Sequence, residues 1–301
     1  MIVLHIGYPK TATTSIQILL ENFTNVLTQY SKNKYANVGI NILTKRVLNN
    51  SPDDWYSDAG LKDLDIIQQV WHALNKNNIT IHSDERLLRP FFFAKDAHHG
   101  FQKIGAYDFP IVKHLESILD INPNIMPIKI IVTLRNQPDW LASRYAQDSN
   151  RIPRPSQDDF ENRVQNILND TTTRGLEFIN YYKLINDLAT LVGYQNVFPL
   201  FFEDINTKNF WQEFLQVVNI NLSYDKILEY ISKKKFNVAR TDISQNIWKL
   251  RSSKANNFNH EDSFNSICLT QEMFNKITYH CNEHNMKLGN MLNRNLSYHG
   301  Y

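Results

Sequence analysis

The opening of the chain constrains its fold most. The apolar run Ile2-Val3-Leu4-His5-Ile6 leads directly into Gly7-Tyr8-Pro9-Lys10-Thr11-Ala12-Thr13-Thr14-Ser15, after which Ile16, Leu19, Leu20 and Phe23 recur at helical spacing. A strand apolar along its whole length suits a position buried on both faces of a parallel sheet. At the junction between such a strand and a helix, several backbone N–H groups converge on one spot, and the helix dipole favours an anion there. Lys10 adds a full positive charge, and Thr11, Thr13, Thr14 and Ser15 add hydroxyl donors. The loop has the equipment to hold a phosphate or sulfate.

The rest of the chain alternates strands with helices. A first helix is expected from Ser15 to about Tyr30, with Val26 and Leu27 extending its stripe, followed by a polar, irregular stretch from Ser31 to Asp65. Further helices are expected at 65–74, 111–119, 137–147, 176–192 and 210–218. Strands are expected at 79–82, 128–134 and 196–202. Ile128 to Leu134 is the clearest strand, β-branched and apolar. Arg86 to Ala106, with Phe91-Phe92-Phe93 and His98-His99-Gly100, and Arg151 to Asp159, with two prolines, read as loops. Alternation of this kind implies βαβ units, and right-handed crossovers put helices on both faces of a parallel sheet. With no internal repeat, low-complexity segment or linker, residues 1–301 are expected to form a single α/β domain.

Composition narrows the function classes. Formal net charge is +2, too near zero for a polyanion-binding surface, so any anion site is local and nucleic acid is not an expected partner. Two cysteines, Cys268 and Cys281, make no disulfide framework and fit a reducing compartment. No segment has the roughly 18 apolar residues of a membrane span, and the opening run is too short for a signal-peptide core. Asn-x-Ser/Thr triplets such as Asn22-Phe23-Thr24 are read as chance matches. A cytoplasmic location is expected.

The loop is not a Walker A sequence. Lys10 stands three residues after Gly7 with no glycine directly before it. A Walker loop also needs a magnesium site, usually an Asp ending a nearby strand, but the strongest strand ends at Arg135. Glu203-Asp204 follows another strand, which weakens the metal reading without removing it. After Arg135 comes Asn136-Gln137-Pro138-Asp139-Trp140-Leu141-Ala142-Ser143. The arginine lies at a carboxyl strand end, where α/β ligand sites occur, and Ser143 lies about two turns into the next helix. An arginine fork and a hydroxyl can hold one phosphate together; Arg135 can equally pair with a nearby carboxylate.

Together the two motifs resemble the sulfotransferase family. That family has a Pro-Lys-Thr-x-Thr-Thr loop after the first strand and an Arg-Asn-Pro-x-Asp stretch with a serine eight residues beyond the arginine. Here these are Pro9-Lys10-Thr11-Ala12-Thr13-Thr14 and Arg135 with Ser143, with Gln137 in place of the common proline and Pro138 beside it. Phe198-Pro199-Leu200-Phe201-Phe202-Glu203-Asp204 is similar to the family's strand ending in Glu-Asp. The resemblance implies a P-loop NTPase-like three-layer sandwich and 3′-phosphoadenosine-5′-phosphosulfate (PAPS) as donor, with PAP as product and no metal. It implies that Pro9, Lys10, Thr11, Ala12, Thr13, Thr14 and Ser15 bind the 5′-phosphosulfate, and that Arg135 and Ser143 bind the 3′-phosphate. The Gly-rich basic third segment of small-molecule members is missing, with Arg240 and the Asn293–Tyr301 tail as weak substitutes. In this the chain is closer to bacterial and carbohydrate-type members, which implies a carbohydrate acceptor, or else a small natural product.

Sulfuryl transfer needs stabilisation of the leaving oxygen, a role suited to Lys10 and the loop N–H groups, and a general base for the acceptor. Glu85, at a strand end in His82-Ser83-Asp84-Glu85-Arg86, is the first candidate, and carbohydrate-type members have a Glu in an equivalent place. His82, Asp84, His98 and His99 compete. Glu85 can also be a surface partner of Arg86 or Arg89. Rival readings are a P-loop kinase or NTPase and a nucleotide-binding module without catalysis. His280-Cys281-Asn282-Glu283-His284 matches an inverted zinc-protease pattern, but it is short and far from both motifs, and is read as a helix with two ordinary histidines.

Overall fold

The apolar opening run folds as β1 (Ile2–Gly7), buried at every position. Four strands join it in one parallel sheet: β2 (Val26–Thr28), β3 (Thr80–Ser83), β4 (Ile128–Leu134) and β5 (Val197–Phe201), in the order β2-β3-β1-β4-β5. The computed structural model describes residues 1–22, 26–28, 34–74, 79–88, 109–125, 127–169, 175–232, 240–242, 246–251 and 266–301.

Register shows why helices cover both faces. His5 pairs with Ser83 and Leu4 with His82, so His5 and His82 point to opposite sides of the sheet. Phe214, on the helix Lys208–Val218, meets His5 edge-on, and Trp71 meets His82 edge-on from the other side. This is the expected α/β arrangement, a central parallel sheet flanked by helices with the P-loop-like strand order. One core cluster gathers Val3, Ile131 and Leu200 from the strands with Ile16, Leu19, Phe210 and Trp211 from the helices.

The described residues form two compact units. The first, drawn from within 1–89, 100–134 and 184–235, holds the parallel sheet. The second is drawn from within 90–99, 135–183 and 236–301. It contains the helices Gln137–Asp148, Gln157–Asn169 and Gln271–Leu292, with a small antiparallel sheet of β6 (Arg240–Asp242), β7 (Ile247–Lys249) and β8 (Ser266–Cys268). The sequence reading had no counterpart for this sheet. Its strands are too short for alternation to register, although Trp248 and Ile267 are buried. The Gln157 side chain closes one edge: its Nε2 donates to the Cys268 carbonyl (2.9 Å) and its Oε1 accepts from the Cys268 N–H (2.8 Å).

Four expectations about elements are corrected. The first helix, α1, runs Thr13–Leu20 and stops there; Val26–Thr28, read as its continuation, pairs with Ile81–Ser83 as β2. Two of the three residues, Val26 and Thr28, are β-branched, and the edge of β3 supplies the backbone partners that a strand needs. The supposedly irregular stretch 31–65 contains α2 (Lys34–Asn49) and the start of α3 (Asp58–Ala73). In α2 the buried pair Leu43 and Val47 is spaced one turn apart, a narrow stripe that the surrounding Asn and Lys residues hide. The 176–192 helix is broken into Gly175–Phe178 and Tyr181–Val192. Asn180 interrupts it, its side-chain oxygen accepting the Lys183 N–H at 3.0 Å as a new cap. The 151–159 loop ends early, because the next helix starts at Gln157. Of the expected loop at 86–106, residues 86–88 belong to a short 3-10 turn, and the rest, with Arg89, Phe91 to Phe93, His98 and His99, lies outside the described residues.

Candidate active site

β3, β1 and β4 are parallel neighbours, so the segments that follow Ser83, Gly7 and Leu134 all leave the same edge of the sheet. The first unit carries the loop and Glu85.

The loop is tightly wound. Lys10 (φ 70°) and Ala12 (φ 65°) both hold the left-handed backbone conformation. Non-glycine residues occupy it at a cost of about 1 kcal/mol or more, which the surroundings must overcome. Left-handed residues alternating along a turn direct successive N–H groups into one concavity, the anion-binding nest. Ala12 is the N-cap of α1 and offers no side-chain acceptor. The first N–H groups of that helix, at Thr13, Thr14 and Ser15, also have no intrahelical acceptor. The residues present thus fit an oxyanion at the α1 N-terminus. Gly7 is required by close approach: a Cβ there would overlap the Thr133 hydroxyl and crowd the Thr13 methyl.

The four loop hydroxyls have different surroundings. Thr11 is fully buried; it donates to the Tyr8 carbonyl at 2.5 Å and contacts the Thr133 hydroxyl at 2.8 Å. It braces the loop against β4. Thr13 is buried and donates to the Glu85 carboxylate. Thr14 is exposed, and Ser15 is buried in the first turn of α1. One turn beyond Thr13, the Gln17 amide reaches the Ser83 carbonyl at 3.3 Å, so the same face of α1 holds the end of β3 twice.

Glu85 is half-buried and opens a short 3-10 turn, Glu85–Leu88. The expected alternative of an Arg86 partner is not what forms. Arg86 binds Asp84, with Nε–Oδ1 at 2.9 Å and Nη2–Oδ2 at 2.7 Å, and Asp84 also accepts from Thr44 at 2.5 Å. Its backbone N–H donates to the His5 carbonyl at 3.0 Å. Asp84 is fully buried and saturated, so it is an anchor rather than a base. His82 is fully buried, with neither ring nitrogen hydrogen-bonded, and burial lowers its pKa to about 4 against a smaller opposing pull from Asp84. Enclosed in this way, it has no access to an acceptor. His98 and His99 fall outside the described residues.

The second unit carries Arg135 and Ser143. Asn136 caps the helix Gln137–Asp148, its side-chain oxygen accepting the Asp139 N–H at 2.9 Å, with Pro138 in the first turn. Arg135 and Ser143 are both buried, and Arg135 lies 3.6 Å from Asp139, one of the pairings expected for it. Tyr181 donates to the Arg135 carbonyl at 2.8 Å and so fixes its backbone; no sequence signal links residues 46 apart. Gln137 is fully buried. Its amide donates to Asn285 (2.8 Å) and to the Ile179 carbonyl (3.3 Å), and accepts from Asn285 at 3.1 Å.

Among the described residues no three or more His, Cys, Asp or Glu side chains converge as metal ligands. The His280–His284 pattern lies on the helix Gln271–Leu292, where Glu283 pairs with Lys287 at 2.6 Å and Cys281 is buried with its thiol pushed up to about 12. No described helix is long and apolar enough to cross a membrane.

No family model matches the chain, and no curated protein matches it. Among solved structures it is similar to a sulfotransferase from Alicyclobacillus acidocaldarius, with 14% identity over 98% of this chain and 97% of that one, and a TM-score of 0.48.

Proposed function

We propose that residues 1–301 act as one sulfotransferase domain, moving a sulfuryl group from PAPS to a hydroxyl or amine of an acceptor. The observation that carries this reading is the glycine-poor nest of Lys10 and Ala12 at the α1 N-terminus, with a carboxylate, Glu85, tied to the same helix. The residues of the sulfotransferase-like loop supply a place for an oxyanion and a proton acceptor beside it.

In this account the N–H groups of the loop and the Lys10 ammonium bind the 5′-phosphosulfate and stabilise charge on the oxygen that leaves with the phosphate. Arg135 and Ser143 bind the 3′-phosphate through a guanidinium fork and a hydroxyl. The acceptor oxygen attacks sulfur in line, the bond from sulfur to the bridging oxygen breaks, and PAP leaves. Glu85 takes the acceptor proton. A carbohydrate is the preferred acceptor and a small natural product the second, and a cytoplasmic location goes with this reading.

The test is PAPS turnover against a panel of sugars and phenols, followed as PAP release. Wild type should release PAP with at least one acceptor, while Glu85→Gln should bind PAP normally and turn over at least a hundredfold slower. Normal turnover by Glu85→Gln would remove Glu85 from the chemistry. Turnover of ATP with magnesium in place of PAPS would favour a kinase or NTPase.

A further inference from the structure

The loop hydroxyls look equivalent in sequence, yet a hydroxyl has only one proton to donate. Thr11 gives its proton to the Tyr8 carbonyl. Thr13 gives its proton to Glu85, the candidate base. We infer that the Thr13 side chain is a positioning residue for Glu85 rather than a phosphate ligand, leaving the exposed Thr14 as the threonine hydroxyl available to the donor's phosphosulfate. This rests on the sulfotransferase reading.

The surroundings of Glu85 support the assignment. The backbone on its N-terminal side is fixed: the Asp84 N–H binds the His5 carbonyl and the Asp84 carbonyl accepts from Leu87. The Asp84 carboxylate is held by Arg86 and Thr44. These contacts set where the Glu85 main chain lies and leave its side-chain torsions unset. A glutamate has three such torsions, and fixing them carries a substantial entropic cost. Thr13 supplies the constraint, and it does so well because it is itself rigid. It is β-branched, it is the first residue of α1, and its methyl lies where a Cβ on Gly7 would crowd it. The Gln17 amide on the Ser83 carbonyl fixes the spacing between α1 and the end of β3 over which this hydrogen bond acts. A base held in one orientation is ready to receive the acceptor's proton when the acceptor lies in line with sulfur.

The arrangement also accounts for the two neighbouring threonines. Thr13 faces the base and is buried, whereas Thr14, one residue further round the helix start, is exposed.

Thr13→Val keeps the shape and removes the hydroxyl, Thr13→Ser keeps the hydroxyl, and Thr14→Val removes the neighbouring one. Each is titrated with PAP and assayed for PAP release from PAPS, with water and with 4-nitrophenol as acceptor probes. Thermal melts are run on Thr13→Val, on Glu85→Ala, which removes the acceptor, and on the double variant. The expected result is PAP affinity within threefold of wild type for both Thr13 variants and at least tenfold weaker for Thr14→Val. PAP release by Thr13→Val should fall at least tenfold with the KM for PAPS unchanged, and Thr13→Ser should restore it. In the melts, Thr13→Val should add nothing to Glu85→Ala. Loss of PAP affinity in Thr13→Val, or melting shifts that simply add, would overturn the assignment. A wild type that binds no PAP would overturn the donor reading, and the melts would still decide independently whether Thr13 holds Glu85.

Discussion

Gln137 and Asn285, 148 positions apart, hold each other by two reciprocal amide hydrogen bonds of 2.8 and 3.1 Å in a buried setting. A third bond, from Gln137 to the Ile179 carbonyl, uses the remaining amide proton, so Gln137 is fully satisfied. The pair ties the start of the arginine-bearing helix to the long C-terminal helix.

Asn285→Leu is therefore expected to destabilise the protein by about 1–3 kcal/mol, the cost of leaving a buried amide unpaired. The additional change Gln137→Leu should recover part of that loss, because two apolar side chains leave nothing unsatisfied. Urea midpoints of the two single variants and the double variant measure this, and a double variant no more stable than Asn285→Leu alone would contradict it.

The end of β1 gives a second expectation. Gly7→Ala places a methyl against the Thr133 hydroxyl and Thr13. Overpacking of this kind costs about 1–3 kcal/mol, and here it also displaces the anion loop. Melting temperature and PAP affinity should fall together, whereas Gly60→Ala, whose methyl would run into the backbone of Asp54 and Trp55, should lower the melting temperature and leave PAP affinity unchanged.

Three buried histidines set a pH dependence. Burial lowers His5 from 6.5 to about 3, and lowers His82 and His114 to about 4. Asp84 raises and Arg86 lowers the His82 value slightly, and Arg46 and Asp54 act in the same opposed way on His114. His114 Nδ1 accepts from Trp55 Nε1 at 2.8 Å, so a second proton on that ring breaks a native hydrogen bond. The unfolded chain takes up these protons near pH 6.5 and the folded one only near 3 to 4. Stability should therefore be full above about pH 6.5. It should decline on acidification by up to about 1.4 kcal/mol per pH unit for each histidine. Urea denaturation at pH 7.5, 6.0 and 5.0 checks the sign. His82→Gln should flatten the slope without moving PAP affinity at pH 7.5.

Asp84→Ala removes the partner of Arg86 and Thr44 from a fully buried position. Removing one member of a buried ion pair costs about 3–5 kcal/mol. The expected outcome is a clear loss of melting temperature, larger than that of Glu85→Gln. The comparison separates the anchor from the candidate base.

Much of the fold was readable because β1 and β4 are near-continuous apolar runs, and the strand-loop-helix junction at Gly7 has a distinctive composition. The bounds of β4 agree at both ends. What escaped the sequence depended on partners rather than pattern. Val26–Thr28 continues a helical stripe and becomes a strand only because β3 offers an edge. The cap by Asn180 was a local signal that an apolar stripe outweighed. Among the candidate residues, the sequence shows Lys10, Glu85 and Arg135 each following a strand, and each does follow one. The division of labour among Thr11, Thr13 and Thr14 was not legible, because it depends on which neighbour each hydroxyl meets across the sheet. The hold of Tyr181 on the Arg135 carbonyl was equally hidden.

The most direct test of the central claim is isothermal titration of the full chain with PAP in EDTA, with ATP–magnesium as comparison, for wild type and the Lys10→Ala/Arg135→Ala double variant. The account predicts micromolar or tighter, metal-independent PAP binding by wild type, weakened at least a hundredfold in the variant. Absence of PAP binding, or preference for ATP with magnesium, would contradict it.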